Sequence, residues 1–207
     1  MSEETPEEEK ARHFELMSGL TLAFLAAVLA VTDLGGGKYG DDEIIGTNEK
    51  ASAYSWYQSK SIKQSLIEQE QGLLRALDSA GALTPEAREP VAQHIASLDA
   101  EVQRYKAEKK EILEGSAALG VEGQVLEKDG QKGQIIGAKE WEAQLATLGA
   151  AGDKFDLSTL WLQLSLVLGA VALVLHEARL KWGFYLAMVA TGVIGGVFSV
   201  LAFSIVL

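Results

Sequence analysis

The side chains that most often carry chemistry are few in this chain, and they are scattered. It has three histidines, His13, His94 and His176, and no cysteine. The histidines fall in three different segments, and no pair has the i, i+4 spacing of a helical zinc site. The lack of Cys removes disulfides and thiolate chemistry. No G-x-S-x-G elbow presents a serine nucleophile. Gly35-Gly36-Gly37-Lys38 has the residue types of a phosphate loop, but Tyr39 follows the lysine and an apolar segment precedes the glycines where a strand is needed. Asp41, Asp42 and Glu43 lack the ligand spacing of a cation loop and are expected to form a solvated acidic turn. His176 could sense pH, though an interfacial polar anchor is the plainer role. With no catalytic set, cofactor site or metal site in view, the chain is expected not to be an enzyme.

What must position these residues is a segregated sequence of 207 residues. Almost all long apolar runs fall in 14–31, 157–175 and 182–207, which are 18, 19 and 26 residues long. Crossing the hydrocarbon core of a bilayer takes roughly 17–25 apolar residues. Glu15, near one end, is the only charged residue inside the three runs. These runs are predicted to be transmembrane helices. The first is expected to be a permanent anchor: the segment before it, Ser2-Glu3-Glu4-Thr5-Pro6-Glu7-Glu8-Glu9, is acidic where a signal peptide is basic. A net charge of −11 argues against nucleic acid as a partner.

Three crossings place the N-terminal tail, 1–13, and the loop 176–181 on one side. Arg179 and Lys181 in that loop, with Lys10 and Arg12 beside the first span, favour the cytoplasmic side for both. The middle of the chain is then expected on the non-cytoplasmic side, which is the periplasm if the membrane is a bacterial inner one. Within the spans, Glu15 and Gln163 are the polar candidates for a pore, which would require an oligomer. Gly192 and Gly196 make a G-x-x-x-G pair, extended by Ser199 and Ala202, suited to close helix contact with the second span or a second protomer.

Between the first two spans, residues 32–47 are expected to form a Gly-rich neck, and 48–156 a helical domain. Ile62, Leu66, Gln69, Leu73, Ala76 and Ala80 fall on one helical stripe, ended by Gly81. Thr84-Pro85-Glu86 marks the next helix start, with a kink or restart expected at Pro90. Val91, Ile95, Leu98, Val102, Tyr105, Lys109 and Ile112 then step by 4 and 3, a heptad seam with one Lys in it. The fold class that follows is an all-α membrane protein: three transmembrane helices, with a long antiparallel coiled-coil hairpin inserted between the first and second. The hairpin is expected to be covered either by a shorter helix around Lys139–Leu148 or by pairing with other copies. The Gly-rich loop 115–138 has two open readings, a short β-hairpin across Asp129-Gly130 or a mobile loop. Trp56, Tyr57, Lys60 and Lys63 are either a docking surface for a partner or lipid headgroups, or packing at the hairpin base.

The stretch Lys50-Ala51-Ser52-Ala53-Tyr54-Ser55-Trp56-Tyr57-Gln58-Ser59-Lys60-Ser61-Ile62-Lys63 resembles the opening of the soluble helix in a bacterial membrane family known as domain of unknown function 4337. Tyr105-Lys106-Ala107-Glu108-Lys109-Lys110-Glu111-Ile112 is similar to that family's second-helix signature, as is the closing pair of spans with its short basic loop. The Gly-rich insert at 115–138 has no equivalent we can place. The resemblance implies three spans and a helical middle, and implies no activity, cofactor or catalytic residue.

The expected function is a non-enzymatic membrane scaffold that homo-oligomerises and holds helical stalks off the bilayer. The alternatives are an oligomeric channel or an accessory subunit of another membrane complex. Expected partners are the lipid bilayer and further copies of the chain, with an unidentified membrane protein in the accessory case.

Overall fold

The structure, a computed structural model, describes residues 6–207, with side chains from Glu9 onward. The described chain is almost wholly helical. Helix α1 runs Pro6–Ser79, α2 Pro85–Glu114, α3 Ser116–Leu119, α4 Ala138–Val174 and α5 Ala178–Val206. Between α3 and α4 lie a 3-10 turn, Val121–Gly123, and two short strands, β1 Glu127–Lys128 and β2 Gln131–Lys132. Helices α1, α4 and α5 are each long and apolar enough to cross a membrane. The chain divides into two compact units, one of residues up to Ile44 with Ala146–Leu207, the other of Ile45–Leu145.

Several expected boundaries are corrected. The Gly-rich neck at 32–47 is continuous helix within α1. The reason is visible at Gly35, which is buried: a Cβ there would lie 2.6 Å from the Phe203 ring and 2.9 Å from Phe155. The glycine admits two aromatic rings, and chain flexibility is not its use. The short helix at 139–148 and the second span are one helix, α4. The basic residues Arg179 and Lys181 belong to the first turns of α5, so the 176–181 loop shrinks to the link before Ala178. No break occurs at Pro90, which α2 carries inside it.

The first unit is a three-helix bundle whose packed seam is made of small and hydroxyl residues. On α4 the buried positions are Ala151, Phe155, Ser158, Leu162, Ser165, Gly169 and Ala172, stepping 4, 3, 4, 3, 4, 3. On α5 they are Met188, Gly192, Gly195, Ser199 and Ala202, with the same alternation. On α1, Phe14, Ser18, Leu25, Thr32 and Gly35 fit the same heptad. Heptad spacing keeps one stripe of each helix facing the others. Leu25, Leu162 and Met188 form the central apolar cluster, and Ala151, Phe155 and Ala202 a second, next to Tyr39 and Phe203. Small residues let the backbones close in, which is how apolar helices gain contact where water drives nothing.

In the second unit, α1 ends in a Schellman cap. The Ala82 amide donates to the Leu77 carbonyl and the Gly81 amide to Asp78, both at 3.0 Å, with Gly81 at φ +68°. Thr84 precedes α2 without a side-chain cap bond. The two strands pair antiparallel, Glu127 with Lys132 and Lys128 with Gln131. Asp129 and Gly130 both take positive φ at the turn, the type I′ requirement, which decides between the two sequence readings of this loop.

The loop is held by one buried side chain. Glu111 is fully buried on α2. Its Oε1 accepts from the Ser116 hydroxyl at 2.7 Å, and its Oε2 from the amides of Val125 and Leu126, both at 2.8 Å. Ser116 in turn receives the Ile135 amide on its hydroxyl and donates its own amide to the Ile135 carbonyl. A Cβ on Gly137 would run into the backbone of Gly115, so only glycine permits this crossing. Above it, Ile112, Leu126 and Ile135 close a small core against Ala53 and Tyr57.

Candidate functional site

Two helix faces stand out, because each inverts what its composition suggests. The first is on the second half of α1. The stripe Ile62, Leu66, Leu73 was expected to pack inward, and this is corrected: those side chains are 55%, 59% and 61% exposed. The buried positions are Gln64 and Gln71, at 8% and 5%. The face that meets α2 mixes these glutamines with half-buried Tyr57, Ile67 and Leu74, while Ile62, Leu66 and Leu73 point away.

Part of this face is met by polar partners on α2, whereas Gln64 donates only to Glu68 of its own helix. Gln71 donates to the Ile95 carbonyl at 3.2 Å. Lys60 pairs with Glu108 at 2.6 Å, both side chains under a fifth exposed, and lies 5.4 Å from the Tyr105 ring. Lys109 sits 5.3 Å from the Tyr57 ring, and His94 reaches Glu70 at 3.0 Å. Charge-assisted bonds and cation–ring contacts at this density hold α2 in one register. On α2 the predicted seam is the covered face: Leu98, Val102 and Ile112 are buried, and Val91, Ile95, Tyr105 and Lys109 half-buried. Among the described residues α2 exposes no large apolar side chain, so the outward apolar surface of this helix pair belongs to α1.

Nearby, Tyr54 donates to Glu142 at 3.0 Å, and that hydrogen bond raises the phenol pKa. Lys139 pairs with Glu114 at 2.7 Å; the bond raises the lysine and lowers the carboxyl. Of the proposed docking residues, Tyr57 and Lys60 are therefore engaged with α2, while Trp56 and Lys63 stay exposed.

The second face is on α5. Within the chain, the close glycine contacts of α5 fall at Gly192 and Gly195. A Cβ on Gly192 would lie 2.7 Å from the Leu25 side chain of α1, and one on Gly195 2.7 Å from Leu162 of α4 and 3.0 Å from its backbone nitrogen. Gly196 meets nothing within 4 Å. The packed pair is Gly192 and Gly195, one facing each neighbouring helix. Ser158 donates to the Gly195 carbonyl at 2.8 Å, a bond that the absent Cβ makes room for. Ser199 lies in the contact as expected and shares a 2.8 Å hydrogen bond with Thr32 of α1. Gly196 instead lines an apolar groove of about 620 Å³ between α1 and α5, with Phe24, Val193 and Val197.

Glu15 and Gln163 are both exposed on the outside of the bundle. His13 and His176, far apart in sequence, line one cavity, whereas His94 is elsewhere on α2. No group of three or more His, Asp or Glu side chains converges among the described residues in a way that could hold a metal ion. The sequence reading missed the hydroxyl heptads of the first unit and the Glu111 anchor. Ser158 and Ser165, or Ser18, Leu25 and Thr32, stand seven apart, a signal open to inspection; nothing local marks Glu111 off from the other glutamates of its helix.

The chain belongs to the family described as domain of unknown function (DUF4337), whose family model matches residues 14–205. No curated protein and no solved structure matches it.

Proposed function

We propose that this chain is a non-enzymatic membrane scaffold that self-associates through the outward stripe of α1. In this reading the apolar part of α1 and helices α4 and α5 cross a bacterial inner membrane. The basic residues near Lys10 and Lys181 stay cytoplasmic, and the second unit is periplasmic. There the second half of α1 and α2 form an antiparallel coiled-coil hairpin; the pairs Tyr57–Lys109, Lys60–Glu108 and Glu70–His94 support that direction.

The observation that carries the proposal is Ile62, Leu66 and Leu73 exposed at heptad spacing while Gln64 and Gln71 are buried. A water-facing helix that turns its apolar stripe outward calls for another surface to cover it. Copies anchored in one bilayer share an orientation, so a two-fold axis along the membrane normal sets the stripe against itself in register. Covering the remaining area of six such side chains is worth about 6 kcal/mol. That is weak between dilute proteins, but confinement to one membrane raises the effective concentration. The test is native mass spectrometry of the protein in nanodiscs, with chemical crosslinking in membranes. An oligomer is expected for the wild type and monomer for Leu66→Glu/Leu73→Glu. Monomer alone in the wild type refutes the scaffold, and a stoichiometric non-self protein in its place supports the accessory-subunit alternative. The second reading, an oligomeric channel, is favoured by the outward positions of Glu15 and Gln163 and requires conductance in planar bilayers.

A further inference from the structure

The end of the first unit where α1 begins and α4 passes to α5 forms an open cavity of about 630 Å³. Lys10, His13, His176 and Lys181 line it, with Phe14 and Trp182 as its apolar wall. No lining residue is acidic, in a chain of net charge −11. Three segments build it. Lys10, His13 and Phe14 share one face of α1 through their i, i+3 and i, i+4 spacing. His176 lies in the link between α4 and α5, and Lys181 and Trp182 in the first turns of α5.

The wall is a fixed aromatic cluster. Phe14 meets Trp182 at 5.4 Å and Tyr185 at 5.8 Å between ring centroids, and Trp182 meets Tyr185 at 5.6 Å, all edge-on. The Lys181 ammonium sits 5.6 Å from the Phe14 centroid, which keeps that cation at the cavity. The α5 terminus adds to the same field: its first turn has no acidic residue, and Glu177 makes no side-chain cap bond. Its first N–H groups are therefore available as donors beside the exposed Glu177 carboxylate. From the wall onward, Leu16, Leu20 and Leu186 are exposed apolar surface.

We infer that this cavity binds the phosphate of an anionic glycerophospholipid, with the acyl chains laid along the apolar faces of α1 and α5. The inference rests on the proposed membrane insertion and is independent of self-association. Lysines and a helix N-terminus suit a phosphate, and an aromatic wall opening onto leucines suits the lipid that carries it. A free phosphate ion would use only the first half of that arrangement.

The test incubates the detergent-purified protein with equal amounts of phosphatidylglycerol and phosphatidylcholine and counts retained lipid by native mass spectrometry. The wild type is expected to keep phosphatidylglycerol about tenfold over phosphatidylcholine, and Lys10→Gln/Lys181→Gln to fall to near parity. Equal retention by the wild type overturns the inference without reference to any variant, as does an undiminished preference in a variant of unchanged helicity by circular dichroism. Displacement of the lipid by millimolar glycerol phosphate overturns the lipid assignment in favour of a free anion. Alkaline carbonate extraction of native membranes separates the two levels: release of the protein sinks membrane insertion itself, whereas retention with no lipid preference sinks only this site.

Discussion

The two units use the same heptad spacing with opposite chemistry. In the first, the packed stripes of α1, α4 and α5 are mostly glycine, alanine, serine and threonine around Leu25, Leu162 and Met188, with Phe14 and Phe155 buried among them, and most other large residues point outward. In the second, the stripe of α1 that meets α2 interleaves glutamines and a shielded Lys60–Glu108 pair with Tyr57, Ile67 and Leu74, and Ile62, Leu66 and Leu73 point outward. Outward leucines on all three apolar helices suit a lipid solvent. Outward leucines along a single stripe of an otherwise charged helix suit a protein partner. The lesson is that seven-residue periodicity reports that a helix packs, while the residues on the covered face report the medium in which it does so.

The sharpest break of this comparison is at the polar interior of the second unit. Replacing Glu111 by Ala leaves the Ser116 hydroxyl and the amides of Val125 and Leu126 without their acceptor. Unsatisfied buried donors cost about 1–3 kcal/mol each, so the loop is expected to lose roughly 4 kcal/mol. Hydrogen exchange at Val125 and Leu126 reads this out; retained protection would mean that the carboxylate is dispensable. The matching removal in the first unit, Ser165→Ala, breaks only a bond to the Leu162 carbonyl of its own helix and is expected to be nearly silent.

Next in size is a pair of neighbouring glycines. Gly195→Ala forces a methyl against Leu162 and is expected to destabilise the bundle by about 2 kcal/mol. Gly196→Ala enters open space and is expected to be neutral or to stabilise the helix by up to about 1 kcal/mol. Thermal unfolding in detergent distinguishes them, and equal effects would mean that α4 and α5 pack on a different face.

The smallest effect is at Lys139–Glu114. Glu114 is lowered by the hydrogen bond from Lys139, so its contribution is present above the unfolded carboxyl pKa and lost as pH falls through the lowered folded value. Lys139 is raised, so its contribution is present below the unfolded lysine pKa and lost as pH rises through the folded one. The melting-temperature difference between wild type and Lys139→Met is expected to be flat around neutral pH and to shrink at both extremes. Both groups are solvent-exposed, so the difference is small.

Much of this architecture was legible in the sequence. Runs of 18 residues or more with a single marginal charge mark three long apolar helices, and Gly81 marks the end of α1. The α2 seam is legible too, because Val91, Ile95, Leu98, Val102 and Ile112 keep heptad spacing in an otherwise charged helix. What misleads is the assumption that apolar means inward. It fails at Ile62, Leu66 and Leu73, because ion pairs and ring contacts on α2 reward the polar face of α1. A related failure is at Gly35: a glycine read as a break is placed by the rings that fill the space of its missing Cβ. Neither depends on local sequence, because the deciding residues lie on other helices.

Because the chain has no cysteine, one measurement addresses the outward stripe directly. Leu66→Cys, Leu73→Cys and Gln64→Cys each give a protein with a single thiol, to be oxidised in native membranes. A disulfide requires Cβ atoms about 3.5–4.5 Å apart, so it forms between copies only where like residues face each other. Crosslinked dimer at positions 66 and 73, with none at 64, is the result predicted for copies joined along the α1 stripe; no dimer at 66 and 73, or equal dimer at 64, would contradict it.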